Sequence, residues 1–166
     1  TLCLRLAPRY PDARFVEVDH PATGAAKRLG IESVGRPDNL HLVPADLAAT
    51  SLSAALQGCA GWEDGGQSVV VCEGLLYYLS RATVRGLFDE LHELTGPGSR
   101  VTFSHLTGLR QHGMARLALE LSGEPWLSAS RVDQLPPYLG PGWQVLASAG
   151  GRWRDLEGFA VVERSG

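Results

Sequence analysis

The sequence lacks several features that would place it in a specialised class of protein. Its apolar runs fall short of the roughly 20 residues that a membrane-spanning helix needs, and we expect no signal peptide. The three cysteines, Cys3, Cys59 and Cys72, are widely spaced and odd in number, which makes a poor disulfide framework. We therefore expect reduced thiols in a cytoplasmic protein.

Charge and residue grouping argue against further classes. The net charge of −3 argues against a surface that binds nucleic acid or an anionic membrane. His20, His41, His92 and His112 have no ligand spacing with one another or with cysteine, so we predict no metal site. No Ser-His-Asp or Cys-His grouping stands out, and Cys72 lies in an apolar run where we expect inert packing.

What the chain does have is the composition of one globular domain. Its 166 residues are 44% hydrophobic and 20% charged, which is enough for a single sizeable core. Strand-like apolar runs alternate with helical patterns, and two strands close the chain. This order predicts an α/β layered fold whose sheet is mostly parallel and ends in an antiparallel hairpin.

The element boundaries follow from caps, breakers and periodicity. Strands are predicted over residues 14–19, 40–45, 69–72, 100–106, 143–147 and 159–163. Helices are predicted from Leu2 to the prolines at 8 and 11, and over 22–29, 52–56, 80–94, 108–121 and 130–139. We expect Gly30 to end the second helix, Pro44 to mark an edge strand, and Val69–Cys72 to be a central strand covered on both faces.

Three of the predicted strands end on an acid. Asp19, Asp46 and Glu73 each follow a strand, and the carboxyl ends of parallel strands share the edge of the sheet where ligands bind. Carboxylates there suit a nucleoside with a cationic centre, since they accept hydrogen bonds from hydroxyls and amines. Each acid alone is equally consistent with a helix cap or a turn.

Other polar residues near this edge are weaker candidates. Tyr77 and Tyr78 could face a cation or orient a substrate, although packing explains either ring as well. His105 lies near the end of a strand and could act as a general base or as a structural histidine. A polar stretch that includes Gly108, Arg110, His112 and Gly113 is a candidate substrate lid.

Several motifs together resemble the leucine carboxyl methyltransferase family, and more closely its bacterial branch of S-adenosylmethionine-dependent O-methyltransferases. The motifs are FVEVDHP at 15–21 with KR at 27–28, PADL at 44–47, CEGLLYYL at 72–79 and PGSR at 97–100. The resemblance implies a Rossmann-like class I methyltransferase sheet with S-adenosylmethionine as its cofactor. It implies that Asp19 holds the ribose, that Asp46 and Leu47 flank the adenine, and that Glu73 lies beside the methionine part.

One part of the family pattern is missing. The family's first strand and its Gly-rich loop would precede Thr1, so the resemblance implies one methyltransferase domain over residues 1–166 that is truncated at its N-terminus. The function implied is methyl transfer to a carboxylate or hydroxyl of a small molecule. A carboxylate is already ionised and needs no base, whereas a hydroxyl would need one, for which His105 or Tyr77 would be the first candidates. Two alternatives stay open: an NAD-dependent oxidoreductase, which also uses an acid after its second strand, and a non-catalytic Rossmann-like binding domain.

Overall fold

The computed structural model describes residues 1–106, 127–128, 139–150 and 157–166. Two compact units make up the chain, Thr1–Glu63 and Asp64–Gly166. The predicted helix over 108–121, all but the last residue of that over 130–139, and the candidate lid lie outside the described residues. The prediction of one domain over 1–166 stays a prediction. No helix in the described parts of the chain is long and apolar enough to cross a membrane.

The first unit is built on a pair of parallel strands. β1 (Phe15–Asp19) and β2 (Leu40–Pro44) are joined by the long helix α2 (Pro21–Val34), while α1 (Leu2–Leu6) precedes them and α3 (Leu52–Leu56) follows. A parallel pair joined through a helix is the repeating element of doubly wound folds. Within the described part of this unit β2 pairs only with β1, in agreement with the edge position predicted from its proline.

One face of this strand pair carries the core of the first unit. Ala7, Ile31 and Leu40 are at most 2% exposed, and Phe15 and Leu42 pack against them. Because side chains alternate along a strand, Glu17 and Asp19 point to the same face of β1 as Phe15. The face covered by α1 and α2 therefore carries two carboxylates beside its apolar core.

The predicted end of α2 is wrong. The helix passes through Gly30 and ends at Val34, where Gly35 takes a positive φ of 90°. Glycine inside a helix costs only about 1 kcal/mol relative to alanine. Burial of Ile31, which is 2% exposed in the next position, offsets that cost and continues the helix.

The described part of the second unit contains a four-stranded sheet, which has both parallel and antiparallel pairs. The strand order is β3 (Val69–Cys72), β4 (Arg100–Leu106), β6 (Glu157–Arg164) and β5 (Trp143–Gly150). β3 and β4 are parallel, whereas β6 runs antiparallel to both of its neighbours. The parallel pairing and the closing hairpin are as predicted, and both hairpin strands are longer than predicted.

Helix α4 (Arg81–Leu94) covers one face of this sheet. Ser80 Oγ caps its N-terminus by accepting a hydrogen bond from Thr83 N at 3.1 Å. Phe88 meets the rings of Phe103 and Trp143 edge to face at 5.4 and 5.7 Å, and Trp143 Nε1 donates to the Phe88 carbonyl at 3.2 Å. The buried residues of α4 are spaced as one face of a helix: Val84, Leu87, Phe88, Leu91 and Leu94.

The opposite face of the sheet contradicts one prediction. Val69 is 79% exposed and Val71 is 47% exposed, and β3 lies at the end of the strand order of the described residues. The expectation that Val69–Cys72 is a central strand covered on both faces is therefore wrong. An apolar run shows that a strand is buried on at least one face, but it does not show what covers the other.

Candidate functional site

Asp19 ends β1 beside the last residue of β2. Its backbone partner in the register is Pro44, and its carbonyl accepts a hydrogen bond from Ala45 N at 2.8 Å. The next residue, His20, caps α2 through Nδ1, and Pro21 occupies the first helical position. The chain therefore turns directly from strand to helix and leaves the Asp19 side chain 27% exposed at the carboxyl end of the strand pair.

Asp46 follows β2 at the same end of the pair. Its Oδ1 accepts a hydrogen bond from Ala48 N at 2.9 Å, so the carboxylate supports its own turn. Leu47, next to it, is half-buried. The structure thus brings Asp19 and Asp46 to the same end of the strand pair. One oxygen of Asp46 also stabilises the turn that follows β2, which was the alternative role for this acid.

Glu73 and Tyr77 lie together in the second unit. Glu73 is exposed directly after β3, and Gly74 then adopts a φ of 69°, which favours glycine, and donates its N–H to Ser104 Oγ at 3.0 Å. Burial raises the pKa of Tyr77, and the charges of Glu157 and Glu73 raise it further. The Tyr77 hydroxyl therefore keeps its proton at neutral pH. The placement of Glu73 beside Asp19 and Asp46 stays a prediction.

His105 lies in the core of the second unit. It is 3% exposed and stands opposite Gly158 of β6. A Cβ atom at Gly158 would lie 2.9 Å from His105 Nε2, so the glycine leaves the space that the imidazole fills. This placement favours a structural histidine over the general base that we also considered.

Two charged side chains near Asp19 were missed by the sequence reasoning. Lys27 of α2 places Nζ 2.6 Å from Asp19 Oδ2 and 3.3 Å from Glu17 Oε2. The second contact is an ion pair without hydrogen-bond geometry, since Glu17 Oε2 has no hydrogen-bond partner among the described residues. The available signal was the two-residue spacing of Glu17 and Asp19, which puts both carboxylates on the face covered by α2.

An open groove adjoins this cluster within the first unit. It has a volume of about 420 Å³ and is lined by α2 and by both strands, including Asp19, Pro21, Gly24, Lys27 and Pro44. Ligand clefts commonly hold roughly 300–1,000 Å³. Among the described residues no group of three or more His, Cys, Asp or Glu side chains could hold a metal ion.

The chain matches one protein family and several curated proteins. The family model of leucine carboxyl methyltransferase matches residues 1–92. A Mycobacteroides abscessus protein, named as a proposed S-adenosyl-L-methionine-dependent methyltransferase, is 27% identical over 169 residues, which cover 87% of this chain and 54% of that protein. A Mycobacterium tuberculosis protein with the same description is 31% identical over 150 residues, 89% of this chain and 47% of its own. The chain thus spans about half the length of these curated relatives.

Solved structures agree on the fold. A proposed methyltransferase from Thermobifida fusca has a TM-score of 0.72 at 21% identity and covers 94% of this chain and 65% of its own. Magnesium protoporphyrin IX methyltransferase from Synechocystis has a TM-score of 0.65 at 15% identity, with 99% and 68% covered. The Rossmann-like class I methyltransferase fold is therefore as predicted. Since the family model matches residues 1–92 of 166, the chain belongs to the leucine carboxyl methyltransferase family.

Proposed function

We propose that the chain is part of an S-adenosylmethionine-dependent O-methyltransferase that acts on a carboxylate or hydroxyl of a small molecule. The position of Asp19 carries the proposal: its carboxylate is 27% exposed at the carboxyl end of a parallel strand pair, in a chain of a methyltransferase family. Doubly wound folds offer a carboxylate to ribose hydroxyls from this position. When bound, S-adenosylmethionine would supply an activated methyl group from its sulfonium.

The remaining roles follow from residue type and exposure. Asp46 keeps acceptor capacity beyond the one bond to Ala48 N, which suits an exocyclic amine, and half-buried Leu47 offers an apolar contact for a purine. Exposed Glu73 would provide a negative field for the cationic methionine part. We therefore keep Asp19, Asp46, Leu47 and Glu73 as the proposed cofactor-binding residues.

The described residues favour a carboxylate as the methyl acceptor. A hydroxyl acceptor needs a base, but the raised pKa of Tyr77 keeps its proton in place and His105 is 3% exposed in the core. A carboxylate is already ionised at neutral pH and needs only to be held in line with the methyl group. Binding and orientation would then supply most of the catalysis.

Calorimetric titration with S-adenosylhomocysteine tests the cofactor site. We expect Asp19→Asn to weaken binding by about 10- to 100-fold, because hydrogen bonds to a charged group contribute about 1.5–3 kcal/mol. Asp38→Asn removes an exposed acid in the loop before β2 and should leave affinity unchanged. A wild-type chain that binds NAD but no S-adenosylhomocysteine would support the oxidoreductase, and a folded chain that binds neither would support a non-catalytic domain.

The acceptor class is tested with S-adenosylmethionine that carries a radiolabelled methyl group. The protein is incubated with pools of small carboxylic acids and, separately, of alcohols and phenols. A methyl ester releases labelled methanol on mild alkaline hydrolysis, whereas a methyl ether does not. Label released only from the carboxylic acid pool is the expected result, and label that stays in alkali-stable ethers would refute the preference for carboxylates.

A further inference from the structure

Lys27 is the only lysine in the chain, and it lies between two carboxylates of one strand. Its ammonium is 2.6 Å from Asp19 Oδ2 and 3.3 Å from Glu17 Oε2. The Lys27 side chain is 26% exposed, that of Asp19 27% and that of Glu17 9%. The contact reaches from the middle of α2 back to the end of the strand that precedes the helix. It therefore fixes where the Asp19 carboxylate stands relative to both elements.

Glu17 is the buried end of this cluster. Beside it, the pKa of the Cys3 thiol is raised to about 11, first by burial and then by the charge of Glu17 and a hydrogen bond to it. Burial acts to lower the pKa of Lys27, but the hydrogen bond to Asp19 and the charge of Glu17 outweigh it, so the pKa is raised. Lys27 is therefore charged at neutral pH, with Glu17 holding it from the buried side.

The arrangement leaves Asp19 able to bind a diol. An ionised carboxylate offers about four acceptor positions on its two oxygens. Lys27 uses one of them on Oδ2, and Oδ1 takes part in no hydrogen bond or ion pair between described residues. The remaining positions can receive two hydroxyl hydrogens without displacing the lysine.

We propose that Lys27 is the positioning residue of the nucleoside site: it holds Asp19 in the orientation that receives the ribose hydroxyls, and Glu17 holds Lys27. This inference rests on the proposed function. A side chain that is already fixed loses no rotamer freedom when the ligand binds. The ligand therefore binds more tightly than it would to a mobile Asp19 side chain. A partly buried ion pair by itself adds little to stability, which leaves orientation as its main effect.

The test compares affinities for S-adenosylhomocysteine across matched variants. We expect Lys27→Met to weaken binding by about three- to tenfold, the cost of ordering one side chain on binding. Lys27→Arg keeps the charge and should restore most of the affinity, while Arg36→Met, in an exposed loop, should change nothing. If Lys27→Met does not fold because Glu17 is left buried without its partner, the double variant Glu17→Gln/Lys27→Met removes both charges and should still bind weakly.

A ligand without ribose hydroxyls separates positioning from a general structural role. The 2′,3′-dideoxy analogue of S-adenosylhomocysteine cannot use the Asp19 carboxylate, so Lys27→Met should bind it as tightly as the wild type does. An equal loss of affinity for both ligands would mean that the substitution disturbs the whole unit. That result would overturn the positioning role.

The single lysine also gives a spectroscopic readout. With 15N-lysine labelling the protein has one ζ-ammonium resonance, which should shift when S-adenosylhomocysteine binds to the wild type and should not shift in Asp19→Asn. Wild-type affinity in Lys27→Met together with a loss in Asp19→Asn overturns the positioning role and leaves the proposed function standing. Absence of binding by the wild type overturns the proposed function, and the positioning role with it.

Discussion

Substitution of Gly96 by alanine tests how closely the residues after α4 pack against the backbone of Gly65 and Gly66. Gly96 N donates to the Gly66 carbonyl and Gly65 N donates to the Leu94 carbonyl, both at 2.8 Å. A Cβ atom at Gly96 would lie 2.4 Å from the Gly65 oxygen and 3.3 Å from the Gly66 carbonyl carbon. Because these neighbours are backbone atoms held by hydrogen bonds, no rotamer change can relieve the clash.

The expected loss of stability is the sum of the hydrogen bonds that are weakened and the cost of overpacking. Moving the 65–66 segment weakens two backbone hydrogen bonds, at about 0.5–1.5 kcal/mol each, and overpacking adds about 1–3 kcal/mol. We therefore expect Gly96→Ala to lower the free energy of unfolding by about 2–6 kcal/mol. Gly86→Ala is the matched control, because Gly86 lies inside α4 with no described atom within 4 Å of an added Cβ. It should raise the free energy of unfolding by about 0.5–1 kcal/mol.

Urea denaturation followed by far-UV circular dichroism measures both variants. The midpoints should shift in opposite directions with the slope unchanged, which indicates a change in stability rather than in the unfolded state. A Gly96→Ala protein as stable as the wild type would refute the reasoning. It would mean that the 65–66 segment moves away at little cost.

Three further predictions concern single positions. Gly30→Ala should raise the thermal stability of the first unit, by about 1 kcal/mol at the midpoint, and a loss would contradict an α2 that continues past Gly30. Trp143→Phe should cost about 0.5–1.5 kcal/mol in urea denaturation, because it removes the hydrogen bond from the indole to the Phe88 carbonyl, and an unchanged midpoint would contradict that contact. Burial raises the pKa of Cys72 to about 12, so the folded state keeps a proton that the unfolded chain loses above about pH 9. The free energy of unfolding should therefore fall by up to about 1.4 kcal/mol per pH unit above pH 9. Urea titrations at several pH values should show a shallower fall for Cys72→Ala than for the wild type. An equal dependence on pH in both proteins would exclude Cys72 as the cause.

Features set by local sequence could be predicted. The buried face of α4 follows from residue spacing, and its start follows from Ser80, since both signals lie within the helix itself. The turn from β1 into α2 follows in the same way from His20 and Pro21. The position of Asp19 at a strand end was predicted because the apolar run that forms β1 ends on this acid.

Features set by tertiary contacts could not be predicted. Gly30 was taken as a helix end because the burial of Ile31 depends on residues that are distant in sequence. The ion pairs of Lys27 depend on how α2 lies across β1, which sequence spacing alone does not fix. His105 was left between two roles because strand alternation gives two faces without saying which one α4 covers.

The place of β6 in the sheet has a consequence for the order in which the chain acquires structure. β6 is the last strand in the sequence, yet it lies between β4 and β5, and its residue Glu163 bonds to Arg100 across a separation of 63 residues. Among the described strands, β4 has only β3 beside it and β5 has none to pair with until β6 has left the ribosome. The first unit is one continuous stretch of sequence, Thr1–Glu63, so it can acquire structure during synthesis, whereas the described sheet of the second unit is completed only after translation has passed residue 164.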